Sequence, residues 1–169
     1  AVMDEAEADR TMDLVAKAGI HIVSLPMCNL YLQDRSDGRR TPRWRGVTLV
    51  HELKARGVQV SFASDNTRAP FYAYGDLDMV EVMREATRIA HLDHTTDDWV
   101  QAFSSTPADV CGFATTTFEP GQPADLILFK ARTWNEFFAR PQTDRTVMRD
   151  GTVLDASPPD YAVLDALME

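Results

Sequence analysis

Val58-Gln59-Val60-Ser61-Phe62-Ala63 leads directly into Ser64-Asp65-Asn66-Thr67. These ten residues are the best indication of the fold class. It is a short apolar run with little polar alternation, and the earlier run from Ile20 to Leu25 has the same character. Such runs are typical of strands that are covered on both faces, as parallel strands are. Gly57 and Gly19 stand just before the two runs, where a preceding helix would end. The sequence therefore predicts two buried strands that each follow a helix.

Amphipathic segments alternate with these strands and predict helices over residues 4–18, 47–56 and 78–91. A loop is expected from Met27 to about Trp44, and another follows Asp65. Alternating strands and helices favour parallel pairing through crossover helices. The strand-to-helix loops are long and the helix-to-strand turns are tight, as in a β/α barrel, where the long loops form the functional rim.

The second half of the chain has a different pattern. Residues 96–103 and 106–111 predict two short helices, and residues 124–129 predict a strand. Residues 146–149 and 152–154 then flank Asp150-Gly151, a typical two-residue hairpin turn. These antiparallel signals predict a small accessory sheet. A complete eight-stranded barrel needs roughly 250 residues, so the chain is either a small α/β domain or a piece of a larger protein.

The composition excludes several function classes. A net charge of −9 and a pI of about 4.8 argue against general nucleic-acid binding. The sequence contains no apolar run long enough to cross a membrane and no leader peptide pattern, so no membrane association and a cytoplasmic location are expected. The two cysteines, Cys28 and Cys111, form no disulfide framework or zinc pattern, and both are expected to be buried or inert.

Several segments resemble a known family. Thr106-Pro107-Ala108, the stretch from Gly121 to Phe129, and the stretch from Val147 to Val153 resemble the end of an amidohydrolase-superfamily chain. The stretches Ser24 to Arg35 and Ala63 to Phe71 resemble the regions at the seventh and eighth barrel strands of cytosine deaminases. The resemblance implies an α/β fold, with the C-terminal portion of a metal-dependent (β/α)8 TIM barrel and a small accessory β-sheet from a composite sandwich. The expected domains are a barrel segment over residues 1–104, an accessory sheet region with short helices over 105–157, and a tail over 158–169.

By the same resemblance, Asp65 is the catalytic residue and lies beside a divalent metal, iron or zinc. A metal ion lowers the pKa of its bound water from 15.7 to roughly 7, and a nearby carboxylate can hold that water and accept its proton. Asn66 and Phe71 are the expected substrate-binding residues, since an amide both donates and accepts and an aromatic ring can stack on a flat heterocycle. The alternatives are that Asp65 only caps a turn and that Phe71 only packs in the core.

Histidine and arginine clusters offer further candidates. His91 and His94 have a spacing that can hold a metal, but solvated side chains are favoured because no third ligand is near in sequence. His21 is expected to be a hydrogen-bonded core residue. Five arginines lie between residues 35 and 45 and could receive an anion, but a solvated rim paired with acidic neighbours is preferred.

The implied reaction is hydrolytic deamination of cytosine or a related amino-substituted N-heterocycle, with release of ammonia. The family also uses a His-x-His pair and further histidines, and this sequence contains no His-x-His. Those segments would lie before Ala1, so the isolated chain is expected to be inactive. A homo-oligomer or association with the missing N-terminal portion is expected. The alternatives are a non-catalytic binding or structural module and a subunit that completes a split barrel.

Overall fold

A computed structural model describes residues 3–36, 40–65, 67–93, 98–115, 117–155, 157 and 160–168. The chain is an α/β protein that divides into two compact units, Ala1–Thr115 and Thr116–Glu169. The first unit contains the parallel strands and most of the helices, and the second contains an antiparallel sheet.

The first unit alternates helices and strands. Its elements are α1 (Glu5–Ala18), β1 (Ile22–Ser24), α2 (Pro26–Leu32), α3 (Val50–Ala55), β2 (Val60–Phe62), α4 (Met79–Ala90), a 3-10 turn (Val100–Phe103) and α5 (Ser105–Cys111). Strands β1 and β2 pair in parallel, with Ile22 opposite Val60 and Ser24 opposite Phe62. The predicted parallel pairing is confirmed.

Capping residues set the ends of the two longest helices. The side chain of Asp4 accepts a hydrogen bond from the Ala6 amide at 2.8 Å, and Gly19 ends α1 in the left-handed conformation with φ 64°. Asp78 caps α4 by accepting from the Val80 amide at 2.9 Å, and His91 ends that helix with φ 53°. The predicted bounds of α1 and α4 are therefore confirmed to within one residue.

The core of the first unit lies between the two strands and the helices that cover them. Its largest fully buried side chains include Trp99, Phe62, Leu92, Val50 and Val82. The Phe62 ring stacks on Phe103 at 4.7 Å between centroids and meets Trp99 edge-on at 6.1 Å. Because Trp99 contributes the bulkiest buried side chain, the segment after α4 is part of this core.

Three sequence predictions for this unit need correction. The expected loop from Met27 begins with helix α2, which Pro26 starts and which buries Met27 and Cys28. Helix α3 begins at Val50 instead of residue 47. Between residues 96 and 103, the described part is a 3-10 turn from Val100. In these segments tertiary burial decides where helical structure forms, and no side-chain cap marks the helix starts.

The second unit contains a three-stranded antiparallel sheet. Its elements are β3 (Leu126–Leu128), α6 (Trp134–Ala139), β4 (Thr146–Arg149), β5 (Thr152–Leu154) and a 3-10 helix (Tyr161–Leu167). The strand order is β3-β4-β5. Asp150 (φ 47°) and Gly151 (φ 74°) form the turn between β4 and β5, so the predicted hairpin is confirmed. The 3-10 helix lies where a tail was expected, and α6 was not predicted.

Both faces of this sheet are apolar. The register places Leu126, Met148 and Val153 in one row across the strands, and Ile127, Val147 and Leu154 in the row beside it. Neighbouring residues of a strand point to opposite faces, so each face has one apolar row. Val153 is 60% exposed and Ile127 is 48% exposed. A sheet of this kind is suited to being covered on both sides.

The domain prediction placed residues 105–111 with the accessory sheet. Helix α5 lies in the compact unit that ends at Thr115, where it contacts the 3-10 turn and β2. The assignment of residues 1–104 to a barrel and of the later residues to an accessory domain stays a prediction.

The two cysteines differ in exposure, since Cys28 is buried in α2 whereas Cys111 is exposed at the end of α5. Of the two expected states, buried or inert, burial is thus observed at Cys28 but not at Cys111. Within the described ranges, none of the helices has both the length and the apolar character needed to cross a membrane.

Candidate functional site

The carboxyl ends of the two parallel strands define the candidate site. The Ala63 amide donates to the Ser24 carbonyl at 3.1 Å, which continues the strand pairing one residue past β2. Ser64 is buried, and Asp65 then adopts φ 65° and is exposed. Aspartate tolerates this left-handed conformation better than most residues. The backbone therefore turns sharply at the strand end and presents the Asp65 carboxylate at the edge where chemistry is found in parallel α/β folds.

The loop after Asp65 is closed by its own contacts. Arg68 forms an ion pair with Asp76 at 2.5 Å across the loop. Inside it, the Ala69 amide donates to the Tyr72 carbonyl at 3.0 Å, and the Tyr72 amide donates back to the Ala69 carbonyl at 3.1 Å. Phe71 lies in this tight turn and is 63% exposed. Phe71 is therefore not part of the core of this chain, and the choice between substrate contact and core packing in the whole protein stays a prediction.

Two of the three predicted site residues are described by the structure. Asp65 and Phe71 both belong to the exposed loop that follows β2. Asn66, the other expected substrate-binding residue, lies outside the described residues. Their catalytic, metal-binding and substrate-binding roles stay predictions.

A cluster of three tyrosines, two in this loop and one on α2, was not predicted from the sequence. Tyr72 meets Tyr31 of α2 edge-on, with centroids 5.3 Å apart. Tyr74 packs edge-on against both rings, at 5.7 Å from Tyr31 and 6.4 Å from Tyr72. The close spacing of Phe71, Tyr72 and Tyr74 was the signal in the sequence, but nothing there indicated that Tyr31 would join them.

The histidines do not form a cluster in the described part of the chain. His21 Nε2 lies 3.0 Å from the Ser61 hydroxyl, so the expected hydrogen bond is present, but His21 precedes β1 and is only half-buried. His51 Nε2 lies 2.8 Å from the Ala90 carbonyl oxygen, which ties α3 to α4. His91 is exposed at the end of α4, and His94 lies outside the described residues.

Asp34 organises the arginine-rich loop. It accepts two hydrogen bonds from the Arg40 guanidinium, at 3.1 and 2.5 Å, and one from the Arg43 amide at 2.6 Å. The Arg43 amide, followed by the Arg40 side chain, lowers the pKa of Asp34 from 3.8 to about 2. Since Asp34 already pairs with Arg40, the observed contacts support the preferred interpretation of a paired rim.

The described residues do not by themselves form a metal site. No three His, Cys, Asp or Glu side chains come together within the part of the chain that the structure describes. Asp65 offers one carboxylate, whereas a selective site for iron or zinc takes several nitrogen or oxygen ligands. Most ligands of any metal at this edge would have to come from outside the described part of this chain.

Comparisons with known proteins show which family the chain resembles. Residues 1–155 match the model of the amidohydrolase family. The chain is 60% identical over 166 residues to a pterin deaminase from Rhizobium rhizogenes (strain K84 / ATCC BAA-868), covering 98% of this chain and 38% of that protein. The match falls in the C-terminal part of the relative.

Solved structures show the same likeness. The 5-methylcytosine deaminase from Klebsiella pneumoniae, liganded with 5-fluorocytosine, superposes with a TM-score of 0.69 at 26% identity, covering 95% of this chain and 40% of that one. The N-isopropylammelide isopropylaminohydrolase from Burkholderia multivorans ATCC 17616 superposes with a TM-score of 0.66 at 25% identity, covering 89% of this chain and 35% of that one.

These relatives are hydrolases that act on carbon–nitrogen bonds. This chain spans less than half the length of each. The family match extends over nearly all of the chain, including both units. The chain belongs to the amidohydrolase family.

Proposed function

We propose that this chain is the C-terminal part of a hydrolytic deaminase that acts on a pterin-like, amino-substituted N-heterocycle. The observation that carries the proposal is an exposed carboxylate, Asp65, at the carboxyl end of a parallel strand, in a chain 60% identical to a pterin deaminase. Identity to the 5-methylcytosine deaminase is only 26%, which favours a pterin-like ring over cytosine.

The proposed architecture is the end of a (β/α)8 barrel followed by an accessory sheet. The parallel pairing of β1 and β2 and the long loops at their carboxyl ends support the barrel assignment. The apolar rows on both faces of the β3-β4-β5 sheet support a sandwich completed by other strands. Val23 of β1 is 51% exposed, as a strand that lacks a neighbouring layer would be.

In the proposed reaction, water adds to the ring carbon that carries the amino group. The Asp65 carboxylate accepts a proton from that water as its oxygen bonds to carbon. Asp65 then gives that proton to the ring nitrogen, and the added hydroxyl group gives its remaining proton to the amino group as the carbon–nitrogen bond breaks and ammonia leaves. One water is consumed, and an amino-substituted carbon becomes a carbonyl. Phe71 stacks on the ring, and Asn66 contributes an amide that can both donate and accept.

A divalent metal, iron or zinc, belongs to the proposal on the strength of the family. When bound, such an ion supplies hydroxide at neutral pH by lowering the pKa of its water to about 7. Its other ligands would come from residues that the described part of this chain does not provide. Association with an N-terminal portion, in one chain or between subunits, therefore forms part of the proposed function.

The test uses a fusion protein. This chain is joined behind the N-terminal part of the Rhizobium rhizogenes pterin deaminase, in place of the matching C-terminal segment. We expect ammonia release from pterin by the fusion, slower release from cytosine, and none by this chain alone. In the fusion, Asp65→Asn should lower kcat by at least about 10²-fold, as expected when a proton acceptor is lost. Asp109→Asn, an exposed carboxylate change on α5, is the matched control and should leave kcat unchanged.

Other outcomes separate the alternatives. A folded but inactive fusion would favour a non-catalytic binding or structural module. Activity that appears only when this chain is mixed with a separately produced N-terminal portion would favour a subunit that completes a split barrel. Full activity of the fusion with Asp65→Asn would contradict the role of Asp65.

A further inference from the structure

The aromatic cluster beside the candidate site, formed by Tyr31, Tyr72 and Tyr74, joins two separate segments at the carboxyl ends of the strands. Tyr31 belongs to α2, which follows β1, whereas Tyr72 and Tyr74 belong to the loop that follows β2. All three ring pairs meet edge-on, at interplanar angles of 80° to 88°. This geometry is favourable for aromatic pairs. The three tyrosines therefore fasten the loop after β2 to the helix after β1.

Within this loop, adjacent residues face in opposite directions. Tyr72 is 9% exposed, whereas Phe71 beside it is 63% exposed. The two backbone hydrogen bonds between Ala69 and Tyr72 close the turn, so the position of the Tyr72 backbone fixes that of Phe71. The buried Tyr72 and the exposed Phe71 thus belong to the same short, hydrogen-bonded turn.

The Tyr72 phenol keeps its proton near neutral pH. Burial raises the pKa of Tyr72 above its usual value, and the nearby charge of Glu81 raises it further. Arg35 contributes to the cluster from the other side, since its guanidinium carbon lies 4.3 Å from the centre of the Tyr31 ring. The contribution of Tyr72 is therefore made by its ring and its backbone.

We propose that Tyr72, held by Tyr31 and Tyr74, is the positioning residue that fixes Phe71 where it stacks on the substrate ring. The proposal rests on the proposed function, and it assigns the tyrosine cluster to substrate affinity and ring selectivity. Loss of the Tyr72 ring frees the turn, so that Phe71 samples orientations that do not stack. The proton transfer by Asp65 is unaffected, because Asp65 lies between the end of β2 and this turn.

The first measurement is kinetic and uses the fusion protein with pterin as substrate. Tyr72→Leu keeps an apolar side chain but removes the ring, and should raise KM about tenfold with kcat within about twofold, the size expected for one lost stacking contact. Tyr72→Phe keeps the ring and should restore the original KM. Tyr31→Leu, which removes the ring of the partner on α2, should raise KM in the same direction.

A double variant tests whether Tyr72 acts through Phe71. Phe71→Leu should raise KM, and adding Tyr72→Leu should raise it no further, because residues that act through one another are not additive. Phe118→Leu, an aromatic change at an exposed position of the second unit, is the matched control and should leave KM unchanged. An unchanged KM in Tyr72→Leu, or a double variant whose effect is the product of the single ones, overturns the proposal.

The second measurement needs no activity. In this chain alone, Tyr72→Leu should speed hydrogen exchange at the Ala69 and Tyr72 amides, while Tyr72→Phe should not. Equal exchange in the original and Tyr72→Leu proteins overturns the anchoring role. Failure of the proposed function would look different, because the unmodified fusion would then release no ammonia from any heterocycle, whatever residue stands at position 72.

Discussion

Asp34 shows how a single carboxylate organises a loop of arginines, and its titration gives a pH-dependent prediction. Its pKa in the folded chain is about 2, below the ordinary 3.8, mainly because of the Arg43 amide and then Arg40. A carboxylate with a lowered pKa stabilises the fold above its unfolded value, and that contribution is lost as the pH falls. We expect Asp34 to support the loop fully above pH 3.8 and to lose this role as the pH falls through about 2.

The measurement is a carbon-13 titration of the Asp34 carboxyl group, together with hydrogen exchange at the Arg43 and Trp44 amides that donate to it. Asp34→Asn removes the charge but keeps an acceptor oxygen, and should give faster exchange at both amides at pH 6. A midpoint near the ordinary value would contradict the prediction.

At the residue scale, the sequence predicted positions better than roles. The location of Asp65 followed from one physical rule, that the residue after a buried parallel strand emerges at the carboxyl edge of the sheet. The exposure of Phe71 could not be predicted, because a phenylalanine in a loop packs inward as readily as outward. It depends on Tyr72, whose burial requires Tyr31 from a distant part of the chain.

Helix α4 provides a prediction at the scale of one element. Asp78 caps it through the Val80 amide, and loss of such a cap costs about 1 kcal/mol. Asp78→Ala should lower the free energy of unfolding by about that amount, measured by urea denaturation. Asp78→Asn, which can cap equally well, is the control and should differ little from the original.

The hairpin between β4 and β5 gives a second prediction about a single structural element. Gly151 adopts φ 74°, a conformation that costs an ordinary L-residue roughly 1–2 kcal/mol. Gly151→Ala should therefore destabilise the second unit by roughly 1 kcal/mol, seen as faster hydrogen exchange in β4 and β5. The control is Gly46→Ala, since a methyl group there meets no neighbour and Gly46 lies outside the left-handed region. Equal effects of the two changes would count against this explanation.

Elements with local signals were predictable, and elements fixed by burial were not. The bounds of α1 and α4 follow from Asp4, Gly19 and Asp78, whose side chains or φ angles act within the helix itself. Helix α2 has no side-chain cap and forms where Met27 and Cys28 enter the core, so its sequence resembled a loop.

Helix α6 was missed although a signal was present. Thr133 accepts from the Glu136 amide at 3.2 Å, and a threonine followed three residues later by a glutamate is a known helix start. The helix ends at Ala139, and beyond it the side-chain amide of Gln142 donates to the carbonyl oxygens of Phe137 and Glu136 at 2.9 and 3.1 Å. That closing contact reaches back five and six residues and was not readable from the sequence.

At the scale of the whole molecule, exposed apolar surface predicts association. Ile20 and Val23 on the first unit are each 51% exposed, and the apolar rows of the β3-β4-β5 sheet are also accessible. Surfaces of this kind are usually covered by other protein. We expect this chain alone to self-associate at micromolar concentrations, and the fusion protein to do so less.

Sedimentation over a range of concentrations measures this. Val153→Lys interrupts one apolar row of the sheet and should weaken association about tenfold, given the free energy of burying one valine. Thr117→Lys, at an exposed polar position of the same unit, is the control. A compact monomer that unfolds cooperatively at every concentration would contradict the prediction.

Because one of the two thiols is exposed and the other is buried, thiol labelling can measure how fast the core of the first unit opens. Cys111 is open to reagents, so a maleimide dye should attach there within the first minutes of mixing. Cys28 is buried on the inner side of α2 and becomes reactive only when the surrounding core opens. The delay between attachment of the first and the second dye would thus measure how often the core around Cys28 and the strand that precedes Asp65 opens. This measurement needs no substrate.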